Sequence, residues 1–215
     1  MDQWRRRRAR GDVIFVRYAD DFVLGFQYRS DAEKFVGELR DRLRRFNLEL
    51  HDDKTRLIEF GRFAAQNHKQ RGQGKPATFN FLGFTHICGK TQKGRFVVWR
   101  LTMRKRLRAK LKQIKAELRR RMHQSIPVVG QWLRRILQGH YNYYGVPLNY
   151  RAMSTFRYEV SRLWFKTLRR RSQKTRLNWD RMSRLGKRWL PFPKIRHPYP
   201  EQRLRVFTQG RSPVR

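Results

Sequence analysis

The chain has 215 residues, 53 of them Lys or Arg against 16 Asp or Glu, for a formal net charge of +37. Self-repulsion on that scale opposes compaction unless a polyanion screens it, so nucleic acid is the expected partner, while a 39% hydrophobic share grouped into periodic segments excludes wholesale disorder. A single cysteine, Cys88, excludes an internal disulfide and a multi-cysteine zinc site, and no run reaches the roughly 18 apolar residues of a membrane span.

Arg5 to Arg8 open the chain with no apolar stretch behind them, so a secretory signal is not expected. In "VIFVRYADDFVLGF", residues 13–26, two apolar runs flank Tyr18-Ala19-Asp20-Asp21 and predict strands at 13–18 and 22–27 joined by a tight turn. Ser30-Asp31-Ala32-Glu33 reads as a capping box ahead of a helix whose stripe is Phe35, Val36, Leu39, Leu43 and Phe46. "LELHDDKTRLIEF" (48–60) predicts a turn at Asp52-Asp53 between short extended pieces, and residues 66–80 a polar loop. "FNFLGFTHIC" (79–88) and "GRFVVWRLT" (94–102) predict a second strand pair.

From Leu101 the pattern turns helical. Leu107, Leu111, Ile114, Leu118 and Met122 form one stripe; Ser125 and Pro127 start a second helix through Trp132, Leu133, Ile136 and Leu137, stopped at Gly145. Asn149 is placed to cap a third, with Met153, Phe156, Val160, Leu163, Trp164 and Leu168 on its face. Trp179, Met182 and Leu185 mark a short fourth before Gly186, and the prolines of 189–200 exclude regular structure there. The expected fold class is α+β: an antiparallel sheet with a packed helix over 1–101, then an all-helical domain over 102–215.

An Asp-Asp pair in a turn is most simply a turn signal, because Asp bonds nearby backbone N–H groups. The same pair at a hairpin tip anchored by apolar strands also suits phosphoryl transfer, in which divalent ions sit at the attacking and leaving oxygens. Mg²⁺ takes hard oxygen ligands and keeps several waters, so few carboxylates are needed.

The opening stretch resembles the fifth conserved block of reverse transcriptases, with its Tyr-x-Asp-Asp box. "LELHDDKTRLIEFGRFA" is similar to the sixth block, whose Lys-Thr pair is here Lys54-Thr55, although Asp52-Asp53 stand where Pro-Glu is expected. "FNFLGFTH" resembles the seventh, the primer grip. "GQWLRRILQGHYNYYGVPLNYRAMSTFRYEV", "LWFKTLRRRSQKT" and "RHPYPEQRLRV" resemble the thumb, or X domain, of bacterial group II intron maturases. The motifs share the family's order and spacing, and the resemblance runs from about Val13.

That resemblance implies a partial palm over 1–101 and a thumb/X domain over 102–215. It implies Asp20 and Asp21 as catalytic carboxylates of a two-metal Mg²⁺ site, Tyr18 near the growing strand end and Lys54 near the incoming nucleotide. Phe81, Leu82, Gly83 and Phe84 would hold the primer, although Phe81, Leu82 and Phe84 read equally as strand packing. Implied partners are intron RNA, an RNA template and a DNA primer, in the cytoplasm of a bacterium and without a membrane. In the family the third carboxylate and the fingers lie upstream of the box, but only 17 residues precede Tyr18 here. The expectation is therefore a C-terminal part, with its metal site only partly encoded and no activity in isolation. A split gene with a separate fingers/N-terminal palm partner, a truncated intron copy and a miscalled start all fit. The resemblance is to the bacterial lineages lacking an endonuclease, so no His-Asn-His-type nuclease segment is expected after the thumb.

In the helical half, Arg134, Arg135, His140, Tyr143, Arg169, Arg170, Arg171 and Lys174 are candidate RNA contacts, because Arg forks onto phosphate and aromatics stack on unpaired bases. The plain alternative is a solvated face for the cations and core for Trp132, Phe156 and Trp164. His140 and His197 have no second metal ligand at suitable spacing and read as structural or RNA-facing. Two functions remain: a group II intron reverse transcriptase and maturase, or an RNA-binding remnant without catalysis. A viral RNA polymerase palm is a distant third.

Overall fold

The computed structural model describes residues 2–172 and 176–199, and it is α+β. The chain forms two compact units, Met1–Ala77 and Thr78–Pro200.

The first unit holds α1 (Asp2–Arg7), β1 (Val13–Tyr18), β2 (Asp21–Phe26), α2 (Arg29–Arg44) and α3 (Ala64–Gln70). β1 and β2 pair antiparallel from Val13↔Phe26 to Tyr18↔Asp21, leaving Ala19 and Asp20 as a two-residue loop. Side chains alternate across a strand, so the Phe26 face meets α2: Phe26 and Phe35 rings lie 5.5 Å apart. Trp4 of α1 sits edge-on to both rings and donates its indole N–H to Glu38 at 2.7 Å. Asp31 is buried beneath the approach to β1, where it accepts from the backbone N–H of Arg10 (2.8 Å) and Gly11 (3.3 Å).

Three expectations change here. α2 starts at Arg29, so Ser30 lies inside it and caps nothing; Tyr28 is the extended N-cap, and Glu33 accepts from Arg29 Nε at 2.7 Å instead. Phe46 falls beyond the end of α2 and is 64% exposed rather than on the buried stripe. Part of the segment expected as loop is α3, which is tied back by Glu59, acceptor from Asn67 Nδ2 (2.6 Å) and Arg71. Those hydrogen bonds, Asn67 first and then Arg71, lower the Glu59 pKa. The turn at Asp52-Asp53 does form, with Lys54 N and Thr55 N both donating to His51 O, but its flanks form no strand.

The second unit holds β3 (Phe79–Phe81), β4 (Phe84–Lys90), β5 (Phe96–Thr102), α4 (Arg104–Arg120), α5 (Ile126–Tyr144), α6 (Tyr150–Arg169) and α7 (Trp179–Trp189). The expected strand pair is a three-stranded antiparallel sheet, order β3-β4-β5, because the run at 79–88 turns back on itself at Leu82-Gly83. Both residues have positive φ, +48 and +78, which the tightest hairpin loops require. The helices share one core, with Leu133, Leu137, Met153, Phe156, Val160 and Trp164 each 0% exposed and Trp132 packed at its edge. Gly130 of α5 lets the Trp189 ring in, since a Cβ there would lie 2.5 Å from it.

Composition shifts at Leu101, yet the compact unit begins at Thr78. Asn149 is one tie between the sheet and the helices. It occupies the N-cap position of α6 without capping it, and its fully buried side chain joins sheet to helices. Its Oδ1 accepts from Thr102 N (3.0 Å), while Nδ2 donates to Thr102 Oγ1 (2.9 Å) and Tyr144 O (2.8 Å). Among the described residues no helix is long and apolar enough to cross a membrane.

Candidate functional site

The acidic pair sits where the hairpin reverses. Ala19 takes φ +50, a conformation that costs a non-glycine residue about 1–3 kcal/mol, and Arg17 Nε holds the turn by donating to Ala19 O at 2.9 Å. Asp20 occupies the loop and Asp21 opens β2, opposite Tyr18. Tyr18 and Asp21 therefore share the face turned away from α2. All three are exposed, Tyr18 at 65%.

Neither carboxylate has a hydrogen bond or ion pair among the described residues, although the chain carries 53 Lys and Arg. Several acids elsewhere in the unit are engaged, Asp31 by Arg10, Glu33 by Arg29, Glu38 by Arg8 and Asp52 by Arg40, while the exposed Glu49 and Asp53 are, like Asp20 and Asp21, without a partner among the described residues. Two adjacent free carboxylates are a hard-oxygen donor set of the kind Mg²⁺ accepts through one or two side chains plus water and phosphate. Among the described residues no group of three or more His, Cys, Asp or Glu gathers around a metal position. Lys54, in the same unit, is exposed on the turn after α2 and makes no ion pair with the two acids.

In the second unit, Phe81 to Phe84 form the tip of the β3–β4 hairpin rather than a strand interior. Gly83 is buried there, and a Cβ on it would lie 2.9 Å from the Tyr144 hydroxyl. Tyr143 donates its hydroxyl to Leu82 O at 2.7 Å, and Phe84 stacks on Tyr143 with centroids 5.7 Å apart. So Tyr143, expected among the RNA contacts, braces the hairpin expected to hold primer. No short sequence pattern signals a contact between residues 61 positions apart.

The candidate RNA residues separate by environment. Arg134, Arg135, Arg169 and Arg170 are exposed and have no carboxylate partner among the described residues. Arg171 is half-buried, donates Nη2 to Gln124 O at 2.8 Å and has its pKa lowered by burial. His140 stacks on Phe156 at 4.0 Å with Nε2 buried and unpartnered among the described residues; burial, then Lys110, pushes its pKa down to about 4. Its ring packs inward against α6. His197 packs back onto α5, its Nε2 2.7 Å from Asn142 O. Lys174 lies outside the described residues.

Residues 1–86 match the family model described as reverse transcriptase (RNA-dependent DNA polymerase). The matched segment spans Tyr18, Asp20, Asp21, Lys54 and the Phe81–Phe84 hairpin tip. No curated protein matches the chain.

Proposed function

We propose that the chain is part of a group II intron-encoded reverse transcriptase and maturase, using its helical unit to hold intron RNA and its acidic hairpin to hold Mg²⁺ for RNA-templated DNA synthesis. The observation that carries this reading is the pair Asp20 and Asp21, left without a cation in a +37 chain and presented at a tight hairpin tip within the reverse-transcriptase-like segment. Bound Mg²⁺ would supply charge stabilisation at the attacking and leaving oxygens of the transferred nucleotide. Asp20 and Asp21 would bind the ion. Tyr18, on the Asp21 face, would border the strand end, while Lys54 would offer its ammonium to nucleotide phosphate. The Phe81–Phe84 hairpin would support the primer from a base braced by Tyr143.

A second reading, RNA binding without catalysis, is favoured by the unpaired cations of the helical unit, which need no metal to bind phosphate. Manganese tests the metal half on the 215-residue chain. Titrated Mn²⁺ is expected to broaden the backbone amide signals of Tyr18 to Phe22 first. The paired substitutions Asp20→Asn and Asp21→Asn should remove that broadening and leave RNA affinity unchanged or slightly higher. Broadening that starts elsewhere, or that survives both substitutions, would return the chain to the second reading.

A further inference from the structure

A groove of about 1270 Å³ runs between α4, α6 and the first residue of α7. Its wall carries Lys115 and Arg119 from α4, and Arg162, Lys166, Arg169 and Arg170 from α6 and its end. No acidic residue lines it. Of these cations only Arg162 has a carboxylate partner among the described residues, Glu159 at 3.0 Å. Packing of like charge along one cleft opposes folding unless an anion fills it.

The groove also has an aromatic component that the core does not absorb. Tyr158 is 56% exposed and Trp179 47% exposed, whereas Trp164 of the same helical unit is 0% exposed. Phe165 backs Trp179 in a near-parallel stack, centroids 4.4 Å apart and planes at 24°. That leaves a stiffened, half-open indole beside the cations. Arg162 lies over the Tyr158 ring at 5.7 Å and Arg169 over Phe165 at 5.7 Å, so rings and guanidinium groups alternate.

Spacing bounds the length of strand the groove can take. Tyr158, Arg162, Lys166 and Arg169 recur at helical intervals along one face of α6 and cover about 16 Å at about 1.5 Å per residue. A stacked strand advances about 3.4 Å per nucleotide along its helix axis and an unstacked one more, so the stripe spans no more than about five nucleotides. Paired bases would hide their faces from Tyr158 and Trp179; unpaired bases offer a π-face to each. We propose that this groove binds a short unpaired stretch of RNA, its phosphates on the α4 and α6 cations and its bases on Trp179 and Tyr158. The proposal rests on the RNA-binding reading above and names the form of RNA that this surface takes.

The test measures affinity of the 215-residue chain for an unstructured 12-nucleotide RNA and for a blunt RNA duplex, with tryptophan emission recorded alongside. Trp179→Ala with Tyr158→Ala should weaken single-strand binding about 10- to 100-fold, the range of one or two lost base stacks, and change duplex binding less than about 2-fold. Trp179→Phe, which keeps an aromatic at the start of α7, should retain affinity within about 3-fold and lose most of the RNA-induced quenching. Lys166→Gln with Arg169→Gln should lower the single-strand salt slope by about 1 to 2. Aromatic variants that bind the single strand as the parent does, or that lose both RNAs equally, would overturn the groove assignment alone. A parent chain that binds neither RNA would overturn the RNA-binding reading as well. If the alanine pair fails to fold, quenching that persists in Trp179→Phe overturns the assignment on its own.

Discussion

The β1–β2 hairpin and the α4–α7 bundle are built to opposite standards. In β1 only Val13 is buried, while Ile14, Phe15 and Val16 are 42–47% exposed; in α5 and α6, Leu133, Leu137, Phe156, Val160 and Trp164 are fully buried. The hairpin is held by one register and one aromatic cluster around Trp4, Phe26 and Phe35. The bundle is held by a continuous core plus the buried Asn149 link to β5. On the proposed reading, carboxylates that meet a metal stay accessible on the lightly packed element, and a cation-rich surface that holds RNA has a stiff interior to oppose its own repulsion.

The largest expected effect pits a core leucine against a hairpin valine. Leu137→Ala should cost about 2–5 kcal/mol in urea unfolding of the 215-residue chain, through lost burial and the cavity left behind. Val16→Ala, at a position 47% exposed, should cost less than about 1 kcal/mol. Comparable costs at the two sites would break the contrast.

Next comes pH. His140 has its folded pKa depressed to about 4, against about 6.5 unfolded. Above pH ~6.5 both states are neutral there and the full stability is present. Between pH ~6.5 and ~4 the unfolded chain takes up a proton that the folded ring refuses, so stability falls, by up to about 3 kcal/mol. His86 is shifted the same way by burial and Arg100. The informative quantity is therefore the difference between the parent and His140→Phe, which should be pH-dependent across that window and flat above it. A flat difference throughout would place His140 in contact with water.

Asn149→Ala should come third, at about 1–3 kcal/mol, because it strands Thr102 N in a buried setting, while Tyr144 O keeps the Val146 N–H. Asn149→Asp would restore only the acceptor and should recover little. A cost near zero would show that Asn149 does not tie the sheet to the helices.

Much of this organisation was legible from residue pattern. Helical stripes carried the bundle because a 3.6-residue repeat of Leu, Ile, Phe and Trp has one stable use, and the Tyr18-Ala19-Asp20-Asp21 tip followed from apolar runs of equal length on both sides. What was hidden depended on tertiary partners. Ser30 carries a capping signal, but the helix starts two residues earlier than that cap would set it, and Arg29 captures Glu33. The run at 79–88 read as one strand because Leu82 gave no hint of a positive φ. α3 is short and polar, and its anchor Glu59 lies outside it. Asn149 stands at a cap position in the sequence and serves as a tertiary link. The exposure of Asp20 and Asp21 could be anticipated; that Tyr143 supports the Phe81–Phe84 hairpin while His140 turns inward could not.

The most direct test of the account is the salt dependence of RNA binding by the 215-residue chain. With several Arg and Lys on phosphate, affinity should fall about 10²- to 10⁴-fold between about 50 and 200 mM salt, and Arg169→Ala with Arg170→Ala should reduce the slope by about 1 to 2. An affinity that does not change with salt, or a slope untouched by the double substitution, would contradict the claim that the unpaired cations of the helical unit exist to hold RNA.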